Sequence, residues 1–263
     1  MTRVAEATYE LSVDLPPPLD LNASLRPLGR WGDDGIDRWD GSTLARVLRL
    51  EDEVIPVAAQ VDGDIARPLL RVKVPAAAGD SGPAIVDAVR AMFVPVPADL
   101  QALAAADGRV ARLVTANPGI IPVLVHDPFS ALIRSISAQQ VNLAWAATIR
   151  RRLAESYGTR HEIAGTYVYS LHAGPLARAT VDELRALQLT TAKSRSVIAV
   201  AEAGEAGELE RGDLKALDDE ALIEHLTRLR GIGRWSAEWF LTRTLGRARV
   251  VAGDLGAGTP ASA

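Results

Sequence analysis

Cysteine is absent from the 263 residues of the chain. Its absence excludes disulfide bonds, thiolate nucleophiles, thiolate zinc sites and cysteine-ligated iron–sulfur clusters. Histidine occurs only four times and never at the spacing of metal ligands, so no metal site is expected. The sequence also lacks a P-loop, a glycine-rich dinucleotide motif and a G-x-S-x-G elbow, and no cofactor is expected.

Long apolar runs are missing as well. No stretch approaches the roughly 18 to 20 apolar residues that span a bilayer, and the first ten residues show no basic-then-apolar targeting layout. Hydrophobic residues make up 48% and charged residues 24% of the chain, which is typical of a globular protein with a packed core. We therefore expect a cytoplasmic protein with no membrane partner, built of one large domain or two smaller ones.

An excess of positive charge, the usual mark of a protein that coats nucleic acid, is lacking too, because the formal net charge is −4. The positive charge is nevertheless concentrated locally. Residues 228–249 contain six arginines and a single acidic side chain, Glu238. This asymmetry draws attention to the C-terminal part of the chain.

Residues 1–98 are predicted to form an α+β domain. Residues 8–15 alternate apolar and polar side chains, and three further extended segments follow between residues 42 and 75, with Asp62-Gly63 as a hairpin signal. Residues 81–93 have helical spacing, with Pro83 near the start. A small antiparallel sheet with one or two covering helices is the expected architecture.

Residues 99–263 are predicted to form an all-helical domain. Residues 127–158 read as one long helix, with Asp127 as its N-cap and Gly158 at its exit. Thr180 and Glu183 have the spacing of a capping box before another helix. The last two helices are joined by a very short turn, Arg230-Gly-Ile-Gly233.

This turn carries the main functional signal. Gly231 and Gly233 let the backbone reverse sharply while Ile232 fills the space between the helices. The free amides of such a turn, together with the following helix N-terminus, form an anion-binding concavity, and a phosphodiester suits it given the surrounding arginines. The alternative is that tight helix connections commonly use glycine and that Arg234 and its neighbours lie on a solvated face.

A second signal is a single acid in apolar surroundings. Asp254 stands between two glycines in the segment Val250-Val-Ala-Gly-Asp-Leu-Gly256. A carboxylate there is costly to bury unless it is hydrogen-bonded or chemically useful. A plain helix N-cap is the alternative.

Taken together, Leu229–Ala237, Gly253–Gly256 and the segment Ile133–Val141 resemble the helix-hairpin-helix DNA glycosylases, in particular their DNA-3-methyladenine glycosylase II branch. The resemblance covers residues 99–255 well and extends weakly into the N-terminal part. It implies an α+β domain followed by a helical glycosylase domain. It also implies base-excision repair, with alkylated bases in double-stranded DNA as substrate.

The resemblance assigns roles to individual residues. Gln139 and Gln140 match the segment that fills the gap left by a flipped nucleotide, although position 140 often carries an apolar wedge in the branch. Gly231, Gly233 and Arg234 match the DNA-binding hairpin, and Asp254 matches the catalytic aspartate. For the two glutamines, the alternative is an ordinary helix surface.

The aromatic residues of the last helix complete this interpretation. Trp235 stands where the bifunctional glycosylase/lyase relatives carry a Schiff-base lysine, so the resemblance implies a monofunctional glycosylase. Trp235 and Trp239 lie one helical turn apart and offer aromatic faces to an electron-poor methylated base. The alternative is that one or both of these tryptophans, Trp239 above all, are core residues.

The sequence departs from the family near its end. Family members continue with further helices, whereas Gly256, Gly258 and Pro260 disfavour a helix here, so a truncated glycosylase domain is expected. Three functions remain open: an active monomeric glycosylase associated with the nucleoid, a non-catalytic hairpin DNA-binding protein that lost activity with those helices, and a helical structural protein.

Overall fold

The computed structural model describes residues 7–50, 53–97 and 99–248, and it confirms the α+β class. Within these ranges no helix has the length and apolar character needed to cross a membrane.

In chain order the elements are β1 (Thr8–Asp14), α1 (Leu21–Gly29), β2 (Arg38–Trp39), β3 (Thr43–Leu50), β4 (Glu53–Asp64), β5 (Arg67–Pro75), a 3-10 helix (Ala76–Ser81), α2 (Gly82–Arg90), α3 (Asp99–Ala106), α4 (Gly108–Ala116), α5 (Pro128–Ala138), α6 (Leu143–Tyr157), β6 (Gly158–Ile163), β7 (Thr166–Leu171), α7 (Ala173–Ala177), α8 (Val181–Ala186), α9 (Thr191–Glu205), α10 (Arg211–Ala216), α11 (Asp219–Thr227) and α12 (Arg234–Arg243).

The chain divides into two compact units. The first comprises the chain up to Asp33, Asp37–Val123 and His161–Val168, and the second comprises Asp34–Ile36, Leu124–Arg160 and the chain from Tyr169 onward. The first unit thus includes α3 and α4, which follow the predicted domain boundary at residues 98 and 99. That boundary marks the change from strands to helices and, as a domain boundary, stays a prediction.

The first unit is built on a five-stranded antiparallel sheet in the order β1-β5-β4-β3-β2. Along β1 only Tyr9, Leu11 and Val13 lose exposure to solvent, because alternate side chains of a strand point to opposite faces. The core also takes Leu25 from α1 and Ile85 from α2. The predicted small sheet with one or two covering helices is therefore confirmed.

The hairpin of β4 and β5 shows why Gly63 was a useful signal. Gly63 has a φ of +76°, and a Cβ there would lie 2.1 Å from the Arg67 carbonyl oxygen. The strands pair as far as Asp64 and Arg67, so the chain reverses at residues 65–66, three positions later than the Asp62-Gly63 pair indicates. Glycine is needed here for close backbone approach beside the turn.

A second, two-stranded sheet, β6 and β7, interrupts the helical part of the sequence and was not anticipated. Its turn is formed by Ala164 and Gly165, with φ values of 48° and 79°. Two consecutive positive φ values match the right-handed twist of a two-residue hairpin. The run of β-branched and aromatic residues Thr166–Tyr169, directly after Gly165, was the available sequence signal.

The second unit is a helical assembly around α5. Leu132, Ile133 and Ile136 of this helix are fully buried, and the core they belong to includes Val197 of α9 and Phe240 of α12. Helices α6, α9 and α12 all contact α5. Eight of the eleven residues of α5 are buried, so this helix lies at the centre of the unit's core.

The prediction of a single helix over residues 127–158 was wrong. α5 ends at Ala138 and α6 begins at Leu143. Between them Gln140 adopts a left-handed φ of 56°, and Asn142 caps α6 by accepting a hydrogen bond from the Trp145 amide at 2.8 Å. The capping preference of asparagine outweighs the continuous apolar periodicity. The two glutamines therefore lie in a loop and not on a helix face.

A buried carboxylate also holds α5 and α6 together. Asp34 accepts from Arg150 at 2.8 Å and pairs with Arg134 at 3.0 Å, and only 4% of its side chain is exposed. Its other oxygen accepts the Ile36 amide at 3.1 Å. Burial of this carboxylate is tolerable because each oxygen has a donor and two guanidinium groups balance the charge.

Replacing this carboxylate should be costly. We expect Asp34→Ala to lower the free energy of unfolding by about 3–5 kcal/mol, because two largely buried guanidinium groups lose their counter-charge. The matched control is Asp182→Ala, which removes an exposed pair with Arg185 and should cost less than about 1 kcal/mol. Urea unfolding followed by circular dichroism measures both. Equal effects of the two substitutions would contradict the expectation.

Candidate functional site

The turn between α11 and α12 spans residues 228–233. Gly231 has a φ of +82°, and Ile232 is only 4% exposed and belongs to the helical core. The Ile232 amide donates to the Leu229 carbonyl at 3.1 Å. The turn therefore has the arrangement that the sequence predicts, with one buried side chain between two glycines.

The two glycines of the turn are not equivalent. A Cβ at Gly231 would lie 2.0 Å from Oγ and 2.6 Å from Cβ of Ser196, which belongs to α9. Ser196 is itself held by donating to the Ala192 carbonyl at 3.0 Å. At Gly233, by contrast, φ is −92°, and a Cβ added there would meet no atom within 4 Å. The strict requirement for glycine therefore falls on position 231.

The N-terminus of α12 is the part of the site that is suited to an anion. Gly233 is its N-cap and supplies no side-chain hydrogen bond. The first amides of a helix have no intrahelical acceptor, and the helix dipole favours negative charge at this end. Oriented amides beside a glycine turn can therefore donate to an oxygen of an anion without the help of a side chain.

Arg234 is engaged within the protein. Its Nε donates to the buried carboxylate of Glu238 at 3.1 Å, and a terminal nitrogen lies 3.2 Å from each oxygen of Glu220. Glu238 is on the same helix, whereas Glu220 lies on α11. Sequence reasoning singled out Arg234 for DNA and did not anticipate Glu220. The charge of Arg234 is balanced by two acids, and its contacts join α11 to α12.

Two other arginines carry positive charge that the described acids do not balance. Arg230 is exposed in the turn. Among the described residues, its side chain forms no hydrogen bond and no ion pair. Arg243 is half-buried on α12 and likewise has no described acid partner. Burial, together with the like charge of Arg134, lowers the pKa of Arg243 from its usual value. Sequence reasoning did not separate these arginines from Arg234.

The loop between α5 and α6 lies against the hairpin turn. The side-chain amide of Gln139 donates to the carbonyl oxygen of Gly231 at 2.9 Å, across 92 residues of sequence. The neighbouring Gln140 is exposed and has the left-handed φ already described. The structure therefore brings together three of the predicted residues, Gln139, Gln140 and Gly231.

A lysine supports the same loop from α9. Nζ of Lys193 donates to the Ser137 carbonyl at 3.0 Å, in the last turn of α5. Burial lowers the pKa of this ammonium group. Lys193 lies one helical turn before Ser196, the residue that packs on Gly231. No lysine is near the hairpin in sequence, but the fold places this one beside the candidate site.

The two tryptophans of α12 differ in exposure. Trp235 is 37% exposed, whereas Trp239 is half-buried against the helical core. Both lie on α12, one turn apart. Trp235 has the more accessible ring for a ligand, and Trp239 already makes core contacts.

The predicted catalytic residue, Asp254, lies outside the described residues. Its place relative to the turn therefore enters only as a proposal. Within the described ranges, no group of three or more acidic or histidine side chains has an arrangement that holds a metal ion.

Comparison with known proteins agrees with this geometry. The chain is 33% identical over 141 residues to DNA-3-methyladenine glycosylase 2 of Escherichia coli and 31% identical over 129 residues to a DNA-3-methyladenine glycosylase of Bacillus subtilis. These matches cover 52% and 48% of the chain, but only 48% and 42% of the relatives, so the chain spans less than half the length of either. No family model matches the chain.

A solved structure extends the likeness to nearly the whole fold. The 3-methyladenine DNA-glycosylase of Archaeoglobus fulgidus superposes with a TM-score of 0.78 and 20% identity, over 94% of this chain and 83% of that one. These comparisons support the resemblance of the chain to the helix-hairpin-helix DNA glycosylases. The sequence relatives support the resemblance to their DNA-3-methyladenine glycosylase II branch in particular.

The account of the hairpin turn leads to a prediction that involves no substrate. We expect Gly231→Ala to destabilise the protein by about 1–3 kcal/mol, because alanine disfavours a positive φ and its methyl group would collide with Ser196. Gly233→Ala is the matched control and should change stability by less than about 1 kcal/mol, since its site is open. Thermal or urea unfolding compares the two. A larger loss at position 233 would contradict this account of the turn.

Proposed function

We propose that the protein acts in base-excision repair and hydrolyses the N-glycosidic bond of alkylated purines of the 3-methyladenine type in double-stranded DNA. The observation that carries this proposal is the contact between Gln139 and Gly231, which joins a loop suited to filling a base gap to a turn suited to gripping a phosphate. Sequence similarity to DNA-3-methyladenine glycosylases over about half of the chain supports it.

The turn grips the DNA strand through its backbone. The outward amides at the start of α12 donate to a phosphate oxygen, and the exposed Arg230 adds positive charge next to them. Arg234 contributes indirectly, by joining α11 to α12 through Glu220 and Glu238. Contacts of this kind fix the position of the strand without reading its sequence.

The loop supplies the plug. A base inside the duplex cannot be reached by an enzyme, so the nucleotide is rotated out of the stack and a side chain occupies the gap. Gln140 is the exposed residue at the tip of the loop and takes this role. As a polar plug, it can hydrogen-bond to the base left without a partner, whereas an apolar wedge would only pack.

The chemistry requires one carboxylate and no cofactor. As the bond between C1′ and the base nitrogen breaks, its electron pair goes to the base and positive charge develops on the sugar, where Asp254 stabilises it. A water oxygen then bonds to C1′ and its proton passes to Asp254. Glycoside hydrolysis usually needs a second carboxyl group as acid, but an alkylated purine is already cationic and leaves without prior protonation.

Aromatic faces favour the same substrate. The exposed ring of Trp235, with Trp239 one turn further on, attracts a flat cationic base through stacking and the cation–π interaction. Trp235 also occupies the place where a Schiff-base lysine would attack the sugar. The product is therefore a free base and an intact abasic site.

We place the protein, as a monomer, in the cytoplasm with the nucleoid DNA. The alternative function is that of a hairpin protein that binds DNA without catalysing a reaction. Such a protein would use the same phosphate contacts at the turn and the same insertion of Gln140, but not the step at Asp254. The two functions therefore differ in one measurable property, the release of free base from DNA.

The catalytic proposal predicts the effect of one substitution. Asp254→Asn should reduce release of 3-methyladenine from methylated duplex DNA by about 10²-fold or more, because the amide neither stabilises the sugar cation nor accepts the water proton. Binding to DNA that contains an abasic-site analogue should change less than threefold. Single-turnover base release and fluorescence anisotropy measure the two effects. Full activity of the variant contradicts the proposed role, and wild-type binding without any base release favours the non-catalytic reading.

The phosphate grip predicts a salt effect. Arg230→Gln should lower the slope of log K against log[salt] for duplex binding by about 0.9, the value for one lost phosphate contact. Arg228→Gln is the matched control, since Arg228 is already paired with Glu224 at 2.7 Å and should change the slope much less. Titrations from low to moderate salt give both slopes. If Arg228 had the larger effect, the grip would not be at the turn.

A further inference from the structure

We infer that Gln139 is a positioning residue: its carboxamide locks the peptide plane of the hairpin turn at a fixed distance from the plug, and it does not read DNA. This inference rests on the proposed function for its consequence in catalysis. The lock itself is a property of the folded protein and can be measured without DNA.

The peptide group between Gly231 and Ile232 is held on both sides. Its N–H, from Ile232, donates to the Leu229 carbonyl at 3.1 Å. Its C=O, from Gly231, accepts from Nε2 of Gln139 at 2.9 Å. A peptide group beside a glycine rotates more easily than others, because glycine tolerates both signs of φ. With a hydrogen bond on each side, this plane has one orientation.

That orientation decides where the next amides point. Gly233 and Arg234 follow directly, and their amides begin α12. Rotation of the preceding peptide plane would turn a carbonyl oxygen toward the place where a phosphate oxygen is to bind. The bond from Gln139 therefore keeps the anion-binding end of the helix formed before DNA arrives.

The two neighbouring glutamines have separate tasks. Gln139 closes α5 with extended backbone angles, φ −60° and ψ 125°, and its side chain is committed to Gly231. Gln140 has a left-handed φ and an exposed side chain. The change in backbone conformation between them is what lets one side chain bind the turn and leaves the next one free to enter the duplex.

Helix α9 supports both ends of this link. Lys193 holds the last turn of α5 through the Ser137 carbonyl, two residues before Gln139. Ser196, one turn further along α9, abuts Gly231. The distance between the plug and the grip is thus set by one rigid helix and one direct hydrogen bond. A fixed distance of this kind matters because a plug that enters the wrong base step cannot flip the right nucleotide.

The test uses two Gln139 variants and one matched control, all in the full chain. Gln139→Met keeps the length of the side chain but cannot donate, and Gln139→Glu presents only acceptors to a carbonyl oxygen. Gln140→Gly removes the plug without backbone strain at a positive φ and leaves the lock in place. The first readout is hydrogen exchange at the Ile232 amide by NMR, without DNA.

We expect exchange at Ile232 to become about threefold to tenfold faster in both Gln139 variants, the range that one ordinary hydrogen bond accounts for, and to stay unchanged in Gln140→Gly. Single-turnover base release should fall about tenfold in Gln139→Met, with the Kd for undamaged duplex within threefold of wild type. Fluorescence of 2-aminopurine placed at the target position should report slower flipping. In Gln140→Gly, flipping is lost although exchange is normal.

Two results would overturn the inference. One is unchanged exchange at Ile232 in Gln139→Met together with weaker duplex binding, which would make Gln139 a direct DNA contact. The other is faster exchange with normal flipping, which would make the lock irrelevant to function. If the wild-type protein releases no base, the proposed chemistry fails, while the exchange and flipping measurements still decide the role of Gln139.

Discussion

The whole candidate site depends on one close approach, that of the Gly231 backbone to Ser196 of α9. Only a residue without Cβ fits there, and only such a residue accepts the positive φ at low cost. Because the turn sits this close to α9, Ile232 reaches the helical core and Gln139 reaches the Gly231 carbonyl. The following amides are then left at the surface with nothing to bind inside the protein. A surface suited to an anion thus arises as a consequence of tight packing.

Electrostatics divides the arginines into two groups. Arg134, Arg150 and Arg234 face carboxylates and hold structure, whereas Arg230 and Arg243 have no described acid beside them. Formal charge counted along the sequence does not distinguish these groups. The division explains how a chain with a net charge of −4 can present a local positive surface. The proposed grip on phosphate accordingly uses backbone amides and Arg230, with Arg234 acting on the helix pair behind them.

The proposed chemistry is economical because the substrate brings its own positive charge. A cationic base leaves without a general acid, is drawn to the aromatic ring of Trp235 and requires one carboxylate for the sugar and the water. In the proposed mechanism the remaining task of the protein is geometric: to open the duplex at one nucleotide and to hold the strand there. The loop and the turn, to which that task is assigned in the proposal, both contact α9.

The sequence by itself determined the α+β class, the strands with period-two alternation, the capping box at Thr180 and the hairpin with its two glycines, because each of these depends on contacts between near neighbours. The break between α5 and α6 was also encoded, in Asn142, but apolar periodicity concealed it. Only the tertiary structure decided which of the two glycines is indispensable, that Arg234 is paired with Glu220, and that Gln139 bonds to a carbonyl 92 residues away. Those facts depend on which helices become neighbours, and local patterns carry no record of partners brought together by the packing of the core.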